Sequence, residues 1–230
     1  MPVPRLLSKE EFDRDWLAIG RRVVGCDGFG GWQVPAVSPF AHTEWQVVLM
    51  EDSPISPGSV IQEFWDGCPE TSYPTALKLE HVYEPLMRTL RDRGTTEICL
   101  VDETLSYDQR PHPLVIPPIE SDLGFASKEF SWARPCLVID RSADWGLACY
   151  YDRFSLLGGT AEFMKGFFAN AGGERAVQLR FYWFADTDAE PLPVEIFEIC
   201  GWEPPEYSRF RFLDGEEIFE YAPLWWNEMR

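Results

Sequence analysis

Hydrophobic side chains near the start of the chain recur at helical spacing. Phe12 and Trp16 stand four residues apart, so they share one face of a helix. That helix has a clear start, because the Ser8 hydroxyl can accept a hydrogen bond from the Glu11 amide while the Glu11 carboxylate reaches back to the Ser8 amide. This capping box predicts a helix from Ser8 to about residue 19.

The next hydrophobic patterns predict two strands with a helix between them. Residues 45–50 alternate in the manner of a strand with a buried face, and residues 97–101 form a second strand-length apolar run. Between them, apolar residues keep helical spacing over residues 76–93, although Pro85 must start, kink or split that helix. Gly94 marks its end.

The second half of the chain begins with a predicted hairpin. Residues 135–140 and 145–151 are apolar runs separated by Arg-Ser-Ala-Asp, a pattern typical of two antiparallel strands joined by a turn. A later alternation of large apolar residues over 177–183 predicts a further strand.

Two adjacent glycines separate an apolar segment from another predicted helix. Gly158 and Gly159 are expected to let the chain turn sharply, and Thr160 is expected to cap the helix that follows. The helix should end at a second glycine pair, Gly172 and Gly173. Because no Lys-Ser or Lys-Thr follows the first pair, it does not match a phosphate-binding loop.

Strands and helices are interspersed along the chain without regular β-α-β alternation. This order predicts an α+β fold with a mostly antiparallel sheet and helices packed on it. A chain of 230 residues is expected to form a single domain over 1–230. The proline-rich segment 110–122 could divide that domain into two lobes, or could be a crossover within it.

Charge narrows the choice of partners. The chain has 38 acidic and 20 basic residues, a formal net charge of −18 and a pI near 4.5. Such a chain repels nucleic acid and anionic membranes, and it favours basic proteins or cations. Acidity can also serve only to keep a tryptophan-rich protein soluble, and net charge alone does not separate these roles.

The sequence predicts a cytoplasmic protein with no membrane partner. Its start lacks the basic and apolar regions of a signal peptide, and no apolar run approaches the ~20 residues that a membrane span needs. The six cysteines are scattered without a CxxC pair, which is typical of buried thiols and not of a disulfide framework or a zinc site. Nothing in the pattern indicates an oligomeric state.

No complete catalytic or metal-binding motif occurs in the sequence. His42-Thr43-Glu44 matches the first half of a zinc-deaminase signature, but Cys136 lacks the second cysteine because position 139 is isoleucine. We therefore assign no catalytic residue, no metal ligand and no cofactor.

An enzyme with an unsignalled site, such as a hydrolase, remains an alternative. Paired carboxylates can provide a general acid and a general base, and a cysteine beside a histidine can act as a nucleophile. The residues that could do so are Asp102, Glu103 and Asp108 for the first chemistry, and Cys68 with His81 or His112 for the second.

The C-terminal part of the chain is acidic and aromatic. Residues 186–230 contain twelve acidic and three basic residues, which account for half of the net charge. Negative charge steers association with a basic protein, and aromatic side chains are frequent hot spots of interfaces. Alternatively, the aromatic residues complete the core and the acids form a solvated surface. The residues predicted to bind a partner are Glu203, Glu206, Asp214, Glu216, Glu217, Glu220, Trp225 and Trp226.

One stretch resembles a known family. Residues 144–164 contain a tryptophan-bearing strand, an acidic turn, an apolar segment and a glycine pair that leads into a helix. This order is similar to a pattern in bacterial immunity proteins of polymorphic and contact-dependent toxin systems. The resemblance implies a non-enzymatic protein that binds and blocks a cognate toxin, and it carries over no catalytic residue.

The resemblance and the charge together favour an inhibitor of a basic toxin domain, such as a nuclease. The partner would then be the cognate toxin or another basic protein, without direct binding to nucleic acid. A DNA-mimicking protein is a further alternative, because carboxylates spaced along a surface can imitate phosphates in binding a DNA-binding protein.

Overall fold

Among the residues that the structure describes, seven strands pair antiparallel to form the main sheet. The computed structural model describes residues 4–26, 28–31, 35–51, 83–108, 112–118, 135–150, 154–187, 192–207, 209–213, 216–221 and 223–229. The strands of this sheet are β1 Arg5–Leu6, β2 Gln46–Glu51, β3 Ile98–Asp102, β4 Leu114–Ile116, β5 Cys136–Ile139, β6 Trp145–Cys149 and β7 Phe154–Gly159. Their order across the sheet is β1-β4-β3-β5-β6-β7-β2.

The described part of the chain also contains six α-helices, a 3₁₀ helix and a separate two-stranded sheet. The α-helices are α1 Lys9–Asp15, α2 Leu17–Val24, α3 Glu84–Asp92, α4 Ala161–Ala171, α5 Glu174–Thr187 and α6 Val194–Ile199. The second sheet pairs β8 Arg209–Leu213 with β9 Glu216–Tyr221, and the 3₁₀ helix is Leu224–Met229. The α+β fold with a mostly antiparallel sheet is confirmed.

Helices cover both faces of the main sheet. A side chain at Gly146 of β6 would meet Val23 of α2, whereas a side chain at Gly159 of β7 would meet Phe163 of α4. Gly159 is paired with Trp145, the neighbour of Gly146, so the two glycines lie on opposite faces. The strands between the helices are buried on both sides, as a sheet covered on both faces requires.

The N-terminal capping box is present as predicted. The Ser8 hydroxyl accepts from the Glu11 amide at 3.2 Å, and the Glu11 carboxylate accepts from the Ser8 amide at 3.1 Å. The chain then forms two helices instead of one, because Trp16 leaves the helical conformation between α1 and α2. The Arg141 guanidinium lies 4.7 Å from the centre of the buried Trp16 ring. This contact links the first two helices to the β5–β6 turn.

Several predicted elements are confirmed with shifted ends. Strands β2 and β3 fall on the predicted 45–50 and 97–101 runs, and β5 pairs with β6 as the predicted hairpin. Helix α3 begins at Glu84 with Pro85 in its first turn, where a missing amide costs nothing. The predicted helical positions 76–82 lie outside the described residues.

The glycine pair Gly158-Gly159 is not a turn, contrary to the prediction. Both residues end strand β7, where each makes room for an aromatic ring on a different face of the sheet. A β-carbon on Gly158 would lie 2.4 Å from the ring of Phe40, and one on Gly159 would lie 2.7 Å from Phe163. The predicted cap is confirmed, because the Thr160 hydroxyl accepts from the Phe163 amide at 3.3 Å.

The predicted strand over 177–183 is wrong, because these residues lie in helix α5. Val177, Phe181 and Ala185 are four residues apart and buried, which is the stripe of a helix. Leu179 and Tyr182 are buried as well, because α5 packs against β2 on one side and the 3₁₀ helix on another. A helix that is buried on two sides has apolar residues at positions that resemble the alternating pattern of a strand.

Part of the proline-rich segment belongs to the main sheet. Within 110–122, residues 112–118 are described, and β4 pairs there with both β1 and β3. The remaining residues of that segment lie outside the described part, and the single domain over 1–230 stays a prediction. No helix among the described residues has the length and apolar character that crossing a bilayer requires.

Candidate functional site

Three C-terminal elements meet around the aromatic ring of Tyr182. This side chain belongs to α5, and its ring packs edge-on against Trp202, after α6, and Trp225, in the 3₁₀ helix, with centroids 6.4 and 5.9 Å apart. Phe197 of α6 contacts the same ring. All four rings are buried. They form an aromatic platform, defined as Tyr182, Phe197, Trp202 and Trp225, beneath the segment that joins α6 to β8.

Hydrogen bonds from the aromatic platform fix the backbone of this segment. The Tyr182 hydroxyl donates to the Glu203 carbonyl, and the Trp225 indole N–H donates to the Glu206 carbonyl at 2.9 Å. Gln178 donates to the Tyr182 hydroxyl at 2.9 Å and orients it. Burial raises the pKa of Tyr182, so the hydroxyl keeps its proton and remains a donor at neutral pH.

Helix α6 and the fixed segment after it present negative charge to solvent. Residues 192–207 contain four glutamates and no lysine, arginine or histidine, and the side chains of all four glutamates are exposed. We call these residues the acidic segment: Glu195, Glu198, Glu203 and Glu206. Arg175, on the neighbouring α5, is held by a two-point ion pair with Glu228 at 2.6 and 2.9 Å. Its charge is therefore already matched by that carboxylate.

Seven of the eight residues predicted to bind a partner are described, and they lie in three parts of the structure. Glu203 and Glu206 belong to the acidic segment, and Glu216, Glu217 and Glu220 lie on strand β9. Asp214 lies outside the described residues. The backbone of Trp226 continues the 3₁₀ helix.

Trp225, predicted to bind a partner, is buried in the structure. Its side chain is only 6% exposed, and its N–H is used by the Glu206 carbonyl. Trp225 therefore supports the acidic segment from below and does not offer its ring to a partner in this conformation.

Replacing Trp225 by phenylalanine should lower the free energy of unfolding by about 1–2 kcal/mol, because it removes the hydrogen bond to Glu206 and part of the buried ring. Urea denaturation followed by fluorescence or circular dichroism measures the change. Leu224→Ala is the matched control, since Leu224 is 77% exposed and should change stability by less than about 0.5 kcal/mol. Equal effects of the two variants would contradict the supporting role of Trp225.

Two of the three carboxylates considered for catalysis, Asp102 and Glu103, are buried beside a turn. Asp102 accepts hydrogen bonds from the Thr104 amide at 3.0 Å and from the Thr104 hydroxyl at 2.6 Å, which stabilises the turn after β3. The loop at Gly28 packs on Glu103, whose carbonyl accepts from the Phe29 amide at 3.2 Å. Asp108 is instead exposed, 4.0 Å from the Lys9 ammonium. These contacts give Asp102 a structural role in the turn.

Two of the three histidines, His42 and His112, lie among the described residues. His112 stacks on Tyr107 with centroids 4.7 Å apart, and its Nδ1 lies 3.1 Å from the Tyr107 carbonyl oxygen. His42 stacks on Trp45 and lies 3.3 Å from Glu44. His81 and Cys68 are outside the described residues. In the part of the chain that the structure describes, no three His, Cys, Asp or Glu side chains are grouped to hold a metal ion.

The thiols are mostly buried, as predicted. Cys99, Cys136 and Cys149 are buried, Cys200 is half-buried, and none of the described cysteines forms a disulfide. Cys26 is exposed and differs from the prediction. Burial raises the pKa of the Cys99 and Cys200 thiols, so they are protonated and poor nucleophiles at neutral pH.

Comparison with protein-family models, with curated proteins and with solved structures finds no match. The function is therefore inferred from the residues of the chain and their geometry.

The sequence pattern does not reveal Tyr182 as the residue at the centre of the aromatic platform. The apolar alternation over 177–183 predicts a strand at Tyr182, and a strand would not place its ring between Trp202 and Trp225. The useful signal was the helical spacing of Gln178 and Tyr182, four residues apart, after the stop at Gly173.

Proposed function

We propose that the protein is a non-enzymatic immunity protein of a bacterial cytoplasm that binds and neutralises a basic toxin domain. The observation that carries this proposal is the acidic segment on the aromatic platform. Its carboxylates are exposed while the backbone at Glu203 and Glu206 is fixed by buried donors. A surface ordered before binding loses less conformational entropy when a partner docks.

Charge supports the same proposal. A net charge of −18 accelerates the encounter with a basic domain and opposes direct binding to nucleic acid or to anionic lipid. The resemblance over 144–164 adds an independent reason. That stretch forms β6, β7 and the start of α4, where Trp145 stacks on Phe163 with centroids 5.3 Å apart.

The test begins with the neighbouring genes in the source genome, where we expect a reading frame for a large protein with a toxic C-terminal domain, and it continues with co-expression of that toxin domain. The wild-type protein should protect the cells and bind the purified toxin domain in a salt-sensitive manner. The variant E203K/E206K should weaken that binding by about tenfold or more, because each change replaces an attraction with a repulsion.

The matched control is E44K/D108K, which makes the same change in net charge at two exposed side chains outside the acidic segment. It should retain most of the affinity. If the wild-type protein neither binds the toxin domain nor protects the cells, the proposed function is wrong. If both variants lose affinity equally, net charge alone drives binding and the acidic segment is not the interface. Binding to a DNA-binding protein in competition with DNA would instead support DNA mimicry.

A further inference from the structure

The hairpin β8–β9 has two free strand edges within the described part of the chain. Its strands pair antiparallel, from Leu213 opposite Glu216 to Arg209 opposite Tyr221, with one irregularity between Arg209 and Phe210. No third strand joins this sheet among the described residues. Each strand therefore has one side along which backbone groups can pair with another strand.

A two-stranded ribbon is marginally stable alone in water and normally needs a third strand or a helix to cover it. The extensive contacts of β8 and β9 are with each other, and no other described element contacts them to a similar extent. The main sheet is different, because its edge strand β2 is packed against α5 and α6. The hairpin is thus the described sheet that has most to gain from an added strand.

The sequence of the hairpin selects the charge of such a strand. Three of the six residues of β9 are glutamates, namely Glu216, Glu217 and Glu220, whereas β8 carries Arg209 and Arg211. Like charges on neighbouring strands are destabilising and opposite charges are stabilising. Pairing β9 with β9 of a second copy would bring glutamates together, and pairing β8 with β8 would bring arginines together. A basic strand avoids both conflicts when it pairs with β9, and a partner strand with three or more basic residues would match the three glutamates better than the two arginines of β8 from a second copy.

We infer that β9 is a docking edge that accepts a basic strand of the partner and extends the hairpin to three strands. Main-chain hydrogen bonds would supply affinity, and the three glutamates would select lysine and arginine on the incoming strand. The inference rests on the proposed function, because it describes how the basic partner binds at residues already predicted to contact it.

The test uses two synthetic peptides of equal length, one alternating lysine with valine and the other alternating glutamate with valine. The full-length protein should bind the lysine peptide about tenfold or more tightly than the glutamate peptide. Amide hydrogen exchange of residues 216–221 should slow by about tenfold at saturation, because exchange requires the new backbone hydrogen bonds to open. The variant E216K/E217K/E220K should reverse the preference between the two peptides.

A third peptide separates strand pairing from charge attraction. It keeps the lysine and valine side chains but is N-methylated at every peptide bond, which removes every backbone donor and prevents the ladder from forming. If this peptide binds as well as the lysine–valine peptide, or if exchange in β9 is unchanged, the inference is wrong. A wild-type homodimer with protected β9 amides would also overturn it. If the inference fails while the wild-type protein still neutralises the toxin domain, the partner docks elsewhere and the proposed function stands.

Discussion

Replacing Gly158 by alanine is expected to lower the free energy of unfolding by about 2–3 kcal/mol, the upper range for overpacking a core. The new β-carbon would lie 2.4 Å from two ring carbons of Phe40. The ring cannot withdraw easily, because Phe40 is buried and packs against Trp45 with centroids 5.6 Å apart. Either the ring or strand β7 must shift. Urea denaturation at neutral pH measures the loss.

A second glycine provides the control for this prediction. Gly166 lies inside α4, and a β-carbon there would lie 3.5 Å from the Thr89 methyl group, an ordinary contact. Gly166→Ala should therefore leave stability unchanged or raise it by up to about 1 kcal/mol, since alanine favours the helix. Combining Gly158→Ala with Phe40→Leu should cost less than the sum of the single changes, because the smaller side chain relieves the clash. Strictly additive losses would contradict the packing explanation.

Local signals in the sequence predicted the elements that depend on neighbouring residues. The capping box at Ser8 needs only four residues, and the hairpin of β5 and β6 needs only a turn between two apolar runs. These elements are present. Their exact ends differ because tertiary contacts, such as Arg141 on Trp16, decide where a helix breaks.

The errors have a common physical cause, which is packing between segments distant in sequence. Gly158 resembled a turn residue, but its function depends on Phe40, more than a hundred residues away. Helix α5 resembled a strand because it is buried against β2 and the 3₁₀ helix together. Trp225 resembled a surface residue because its acceptor, the Glu206 carbonyl, cannot be deduced from sequence. The structural role of a glycine or an aromatic residue can be predicted only when the residues that contact it are known.

The candidate site, too, can be predicted from the sequence only in part. Composition located the acidic end of the chain, since charge is a property of the sequence itself. The sequence could not show that Tyr182 and Trp225 hold the backbone at Glu203 and Glu206, because those contacts join three separate elements. These donors fix the backbone that carries the two glutamates, and a fixed backbone lowers the entropy lost when a partner docks.

Raising the pH from 7 to 10 is expected to lower the free energy of unfolding by about 4 kcal/mol through three thiols. The groups are Cys99, Cys136 and Cys200. Burial raises the pKa of Cys99 and Cys200, while a hydrogen bond with the Cys149 thiol and burial raise the pKa of Cys136. All three therefore keep their protons in the folded protein when an exposed thiol would lose them.

The sign follows from the unfolded chain, where these thiols ionise near their ordinary pKa of 9.0. Below that pH both states hold the same protons, and the stabilisation is complete. Above it, the unfolded state releases protons that the folded state retains, so each thiol costs about 1.4 kcal/mol per pH unit. Stability is thus lost as pH rises from about 9 toward the higher pKa of the folded state.

Urea denaturation in reducing buffer at pH 7, 8, 9 and 10 measures this dependence, and a single substitution isolates one thiol. Cys99→Ala changes stability at every pH by leaving a small cavity, but it should also reduce the total loss between pH 7 and 10 by about 1.4 kcal/mol. Val101→Ala, in the same strand, leaves a cavity without removing a thiol, so it should lower stability and keep the pH dependence of the wild-type protein. An identical pH profile for Cys99→Ala and the wild-type protein would mean that the Cys99 thiol ionises equally in both states, which is incompatible with its position within β3 in the core.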